Sequence, residues 1–132
     1  EKQIVSVYES YGSRKLIHNM LRAYISPSMG EHSIDGIFTS SDHLATIVRE
    51  ELEEMGKRVP EDIQIIGYDG LQFLNQGKPI VSSIAQPVHE IAKEAVRCLN
   101  ELIANGKTEG NTKIPVSFQE GPTTKTLVTE EK

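Results

Sequence analysis

One cysteine, Cys98, is all that this chain of 132 residues contains. No internal disulfide can form, so packing alone must hold the fold, and a reducing cytoplasm is the expected home. No apolar run approaches the ~20 residues of a membrane span. Basic residues are never concentrated: 14 Lys and Arg face 19 Asp and Glu, for a net charge of −5. A surface that grips nucleic acid needs clustered cations to replace phosphate counterions, so these residues are not expected to touch DNA themselves. The densest charge runs are acidic or mixed, Glu50-Glu51 with Glu53-Glu54 and Glu130-Glu131, and read as solvated surface.

Motifs of catalysis are missing too. There is no Gly-x-Gly-x-x-Gly, P-loop or Gly-x-Ser-x-Gly. His18, His32, His43 and His89 do not have the His-Glu-x-x-His spacing of a zinc helix. Cys98 falls within a helical apolar pattern and reads as packing rather than nucleophile. Asp42 and Asp69 have no accompanying nucleophile. The expectation is a binding protein, not an enzyme, with no cofactor and no metal.

What is present is alternation. Ile4–Tyr8 reads as a strand, and Leu16, Ile17, Met20, Leu21 and Tyr24 recur at helical spacing. Ile34–Phe38 is a second strand. Ser40-Ser41-Asp42 caps a helix carrying Leu44, Ile47, Val48, Leu52 and Met55, which Gly56 stops. The Val59-Pro60-Glu61-Asp62 turn leads into the nearly all-apolar Ile63–Gly67, as expected of a strand covered on both faces. Tyr68–Pro79 reads as a loop of about a dozen residues, and Ile80–Ala85 as a further strand. After Pro87 comes the clearest amphipathic helix, with Val88, Ile91, Val96, Leu99 and Leu102, ended by Gly106. Lys113–Phe118 reads as a last strand and the tail as polar. This order predicts an α/β fold, a three-layer α/β/α sandwich around a mostly parallel sheet.

Ligands of such sheets bind at the carboxyl ends of the strands. Those ends are Tyr8, Thr39 to Asp42, Tyr68-Asp69-Gly70 and Gln86. Hydroxyls, carboxylates, an amide and aromatic faces suit a polyhydroxylated small molecule.

The stretch from Asp35-Gly36-Ile37-Phe38-Thr39-Ser40-Ser41-Asp42 through Arg58-Val59-Pro60-Glu61-Asp62 to Ile65-Ile66-Gly67-Tyr68-Asp69 resembles the C-terminal half of LacI/GalR transcription regulators. Ser82-Ser83-Ile84-Ala85-Gln86-Pro87 before a long helix, and Thr123-Thr124, extend the similarity over residues 4 to 125. The resemblance implies a periplasmic-binding-protein-like effector domain of two subdomains around a sugar or nucleobase. With a start at Glu1-Lys2-Gln3 rather than Met, it implies a segment lacking the DNA-binding helix-turn-helix. Residues 1–86 would then belong to the C-terminal subdomain, 87–118 to a crossover helix and strand of the N-terminal subdomain, and 119–132 to a tail crossing back.

From this follow the expected sites. Asp69 is the sugar anchor, Ser41 and Gln86 are further polar contacts, and Tyr8 is a stacking wall. Leu44, Ile47, Val48, Leu71, Phe73 and Leu74 are the expected homodimer surface. Operator DNA would be a partner only through the domain not present, and no membrane is expected. Two departures from the family pattern bear on ligand identity: Ser41 stands where an Asn is usual, and Gly70 where a second acidic residue is common. The alternative reading is the sugar-binding subunit of an ABC-type importer, which shares the fold and cleft.

Overall fold

The computed structural model describes residues 14–25, 34–70, 74–75, 78–108 and 111–126. The expected strand Ile4–Tyr8 lies outside them, as do Leu71 and Phe73.

The elements are α1 (Arg14–Ile25), β1 (Gly36–Phe38), α2 (Asp42–Glu54), β2 (Gln64–Asp69), β3 (Leu74–Asn75), β4 (Lys78–Pro79), β5 (Ser82–Ala85), α3 (Val88–Asn105) and β6 (Ser117–Gln119). The main sheet has the order β1-β2-β5-β6. β2 runs parallel to β1 and β5, while β6 is antiparallel to β5. The α/β architecture on a mostly parallel sheet is therefore the one expected.

The core lies on one face of this sheet. Ala45, Val48 and Leu52 project from α2 at helical spacing and meet Ile63, Ile65 and Val81, with Leu21 and Ile25 of α1 behind them. Ile65 and Gly67 are buried on this face, whereas Ile66 and Tyr68 alternate to the other. There the register aligns Phe38 with Ile66, Tyr68 with Ile84, and Ile84 with Phe118. Paired residues project to the same side, so this face is also apolar. Phe38 is 63% exposed and Phe118 51% exposed. The described residues thus supply one of the two expected helical layers. α3 does not supply the other: none of its residues is buried, and Val88, Val96, Leu99 and Ile103 are all exposed. Its apolar stripe is left uncovered by the described residues.

Several expectations are corrected. The last strand, expected over Lys113–Phe118, is confined to Ser117–Gln119, and it joins the same sheet as β2 and β5. The loop before β5 contains a small antiparallel hairpin, β3–β4. Val48, expected on a dimer surface, is 5% exposed within the chain's own core, because it follows Ala45 by three residues and precedes Leu52 by four. Glu51, read as solvated, is 3% exposed. Its carboxylate accepts from Arg14 Nε of α1 and lies 2.8 Å from His18 Nδ1, while Arg14 also reaches Glu50 and Glu54. Hydrogen bonding to His18, with Arg14 beside it, holds the Glu51 carboxyl below its ordinary range despite burial. This acidic run is the seam between α1 and α2.

The tail is structural rather than merely polar. Thr123 is fully buried; its Oγ1 donates to the Ile65 carbonyl at 2.7 Å and accepts from the Ser82 N–H at 2.8 Å. Its own carbonyl accepts from the Ile65 N–H at 2.8 Å. Thr123 thereby bridges β2 and β5 at the end where their direct pairing begins.

The turn before β2 is pinned by charge. Asp62 accepts from the Arg58 N–H at 2.9 Å and from Nε and Nη2 along one edge of its guanidinium at 3.1 and 2.6 Å. The Arg58 side chain, then the Arg58 backbone N–H, lower the Asp62 carboxyl to about 2. A carboxyl depressed on folding stabilises above its ordinary value near 3.8, and that contribution fades as pH falls through about 2. An NMR titration should find the Asp62 carboxyl midpoint close to 2, rising toward the ordinary range in Arg58→Ala. A midpoint near 4 in the unsubstituted chain would contradict the pairing.

Candidate functional site

The carboxyl ends of β1, β2 and β5 lie side by side, and each delivers its residues by a distinct local device. After β1, the Thr39 N–H donates to the Ile66 carbonyl at 2.9 Å, which carries the chain alongside β2. Thr39 Oγ1 donates to the Ser41 carbonyl at 2.9 Å. Ser41 is extended, with φ −156° and ψ 157°, and its Oγ accepts from the Leu44 N–H at 3.2 Å. Ser41 therefore caps α2. Asp42 is the first helical residue and is turned inward, where its Oδ1 accepts from Ser83 Oγ at 2.5 Å.

β2 ends on an unusual backbone. Asp69 has φ 113° and Gly70 has φ 69°. Positive φ is uncommon for a non-glycine residue, though Asp tolerates it better than most. At Gly70 a side chain has no room, since a Cβ would fall 2.5 Å from the Ala85 Cβ. Gln86 grips Asp69 twice. Its Nε2 donates to Asp69 Oδ1 at 2.8 Å, and its N–H to the Asp69 carbonyl at 3.2 Å. An ionised carboxylate has about four acceptor positions, so Asp69, half-buried, retains capacity to accept from hydroxyls.

The structure thus brings Asp69 and Gln86 together. Ser41 joins them indirectly, because the next residue, Asp42, is bonded to Ser83, and Ser83 Oγ accepts from the Gly70 N–H at 3.1 Å. Tyr8 lies outside the described residues. An aromatic pair is present nearby: Phe38 and Tyr68 meet edge to face with ring centroids 6.4 Å apart. Sequence reasoning gave no role to Ser83. Its signal was weak, one Ser of a Ser-Ser pair in a short strand; only the parallel register with Gly67 turns it toward α2.

On the expected dimer surface, Leu44 is half-buried against the core and Ile47 is half-buried. Leu74 lies on β3. Among the described residues no group of three or more His, Cys, Asp or Glu could hold a metal ion. Nor is any described helix long and apolar enough to cross a membrane.

With this geometry in hand, comparison with known proteins is specific. Residues 3–124 match the family described as periplasmic binding protein-like domain. Over 69 residues the chain is 44% identical to the ribose operon repressor of Bacillus subtilis, covering 52% of this chain and 21% of that protein. A LacI family transcriptional regulator from Arthrobacter sp. FB24, in complex with lactose, aligns with TM-score 0.66 and 29% identity, over 85% of this chain and 40% of that one. A LacI family regulator from Enterococcus faecium with bound ribose aligns with TM-score 0.61 and 30% identity, again over 85% and 40%. The chain spans about a fifth of the curated relative and two-fifths of each structure. These relatives are transcription regulators rather than enzymes. The chain belongs to the periplasmic-binding-protein-like domain family, and within it to the effector-binding domains of LacI/GalR-type regulators.

Proposed function

We propose that this chain is the sugar-binding and dimerising part of a transcription repressor that controls a carbohydrate-utilisation operon. The observation that carries the reading is the Asp69–Gln86 pair, a charged acceptor held at 2.8 Å by an amide where β2 and β5 end. A charged acceptor oriented in advance suits the vicinal hydroxyls of a sugar, because its hydrogen bonds are stronger than neutral ones and little ordering remains to be done on binding. Ser41, whose Oγ caps α2, is the further hydroxyl of the proposed site.

In this reading the sugar sits between two subdomains and favours one relative orientation. It shifts operator affinity only by its differential affinity for the two orientations. Residues 1–86 act as part of one subdomain and α3 packs into the other. Operator DNA is contacted by a separate domain of the same polypeptide, in the cytoplasm. A two-fold operator calls for a dimer. Ile47 and Leu44 of α2, with Leu71, Phe73 and Leu74, remain the proposed contact, and Val48 leaves the set.

D-ribose is the first sugar to try, given the names of the Bacillus subtilis and Enterococcus faecium relatives. The test is a gel-shift assay on the full-length gene product with its own promoter DNA, with and without D-ribose and lactose. Sugar-dependent retardation is expected. A full-length product that opens with an export signal and leaves promoter DNA unshifted would put the importer reading in its place.

A further inference from the structure

The peptide group joining Asp69 to Gly70 is held from both sides. Its carbonyl accepts from the Gln86 N–H at 3.2 Å, and its N–H donates to Ser83 Oγ at 3.1 Å. One peptide plane gripped at both ends fixes ψ of Asp69 and φ of Gly70 together. Both have positive φ; Gly70 adopts it freely, but in a non-glycine residue such as Asp69 it persists only where surrounding contacts over-determine it. Gln86 supplies part of that determination and is itself placed at the ligand. Ser83 supplies the rest from behind.

Ser83 is well placed for this. It is 2% exposed, so water has little access to replace its bond to Gly70. Its proton is committed to Asp42 Oδ1 at 2.5 Å, which turns its lone pairs toward the Gly70 N–H. A hydroxyl donating to a carboxylate is also a better acceptor, since bonds in such a chain polarise one another. Asp42 in turn sits in the first turn of α2, immediately after Ser41.

We infer that Ser83 is a positioning residue for the effector site. Through Gly70 it holds the Asp69 carboxylate in its ligand-facing conformation, and through Asp42 it ties that conformation to the start of α2. The inference rests on the sugar-binding reading above for its effect on affinity, though not for its effect on the Asp69–Gly70 backbone.

The test uses the full-length protein with Ser83→Ala and Ser83→Cys, the thiol being a weaker hydrogen-bonding group in the same place. D-ribose affinity by calorimetry should fall about tenfold in Ser83→Ala, with Ser83→Cys between it and the unsubstituted protein. In an Asp69→Asn background the further loss from Ser83→Ala should shrink below about twofold, because coupled residues are non-additive. Without sugar, amide hydrogen exchange at Gly70 should quicken about tenfold in Ser83→Ala. Should Ser83→Ala fail to fold, Ser83→Cys carries the same comparisons. Equal losses in both backgrounds would mark Ser83 as merely structural and overturn the inference. So would unchanged exchange at Gly70. If the unsubstituted protein binds neither ribose nor lactose, the sugar reading fails, and the exchange result alone decides whether Ser83 positions the turn.

Discussion

Asp69→Ala in the full-length protein should weaken sugar binding by about 2 kcal/mol or more, roughly thirtyfold in affinity. The substitution removes a charged acceptor from ligand hydroxyls and also strips Gln86 Nε2 of the oxygen that orients it at 2.8 Å. Calorimetry with whichever sugar the unsubstituted protein binds provides the measurement. Affinity within twofold would remove Asp69 from the site. The cost to folding should be the smaller effect, because Asp69 is only half-buried, with a modest contribution from alanine tolerating φ 113° less well than aspartate. A large loss of melting temperature with intact affinity would reverse the assignment.

Gly67→Ala should be strongly damaging for so small a substitution. The position has ordinary φ, and its glycine is required by proximity. An added Cβ would fall 2.4 Å from Asp42 Oδ1, 3.1 Å from Asp42 Cα and 3.3 Å from Ala45 Cβ. The carboxylate cannot simply swing away, because it is buried and bonded to Ser83, and the Cα can move only if the first turn of α2 moves. Overpacking of this kind costs about 2–3 kcal/mol, or a fall of about 10 °C in melting temperature. Gly36→Ala serves as the control, since nothing lies within 4 Å of its added Cβ. Thermal unfolding followed by circular dichroism should separate the two clearly. Equal melting temperatures would show that α2 does not lie on β2 as described.

These expectations show what the chain's own pattern made legible. Helices α1, α2 and α3 were readable because their apolar residues recur at helical spacing, and β2 because the run Ile63–Gly67 is short and nearly all apolar. The strand ends followed from the parallel order, and Asp69 and Gln86 with them. Two kinds of information were hidden. One is register: whether Ser82 or Ser83 faces α2 depends on pairing with Gly67 on another strand, and no local pattern states it. The other is remote pairing of charge. Glu51 looks like its solvated neighbours Glu50 and Glu53, yet Arg14 and His18 seal it from another helix. Val48 was misplaced for a related reason. A helix with apolar residues on much of its circumference does not say which stripe its own core will take.

The wedge at Thr123 bears on the order in which the protein is made. Thr123 stands 58 residues after Ile65, whose carbonyl and N–H it satisfies, and 41 residues after Ser82. A ribosome adds residues from the N-terminus at roughly 5–20 per second, so β2 and β5 emerge seconds before the residue that closes the end of their pair. Until then the Ile65 carbonyl and the Ser82 N–H await their partner beside apolar strands, on a sheet whose other face is also apolar. Closure across so long a separation is a late event by loop entropy as well. The amino ends of β2 and β5 therefore cannot be closed by the tail until synthesis has passed residue 123.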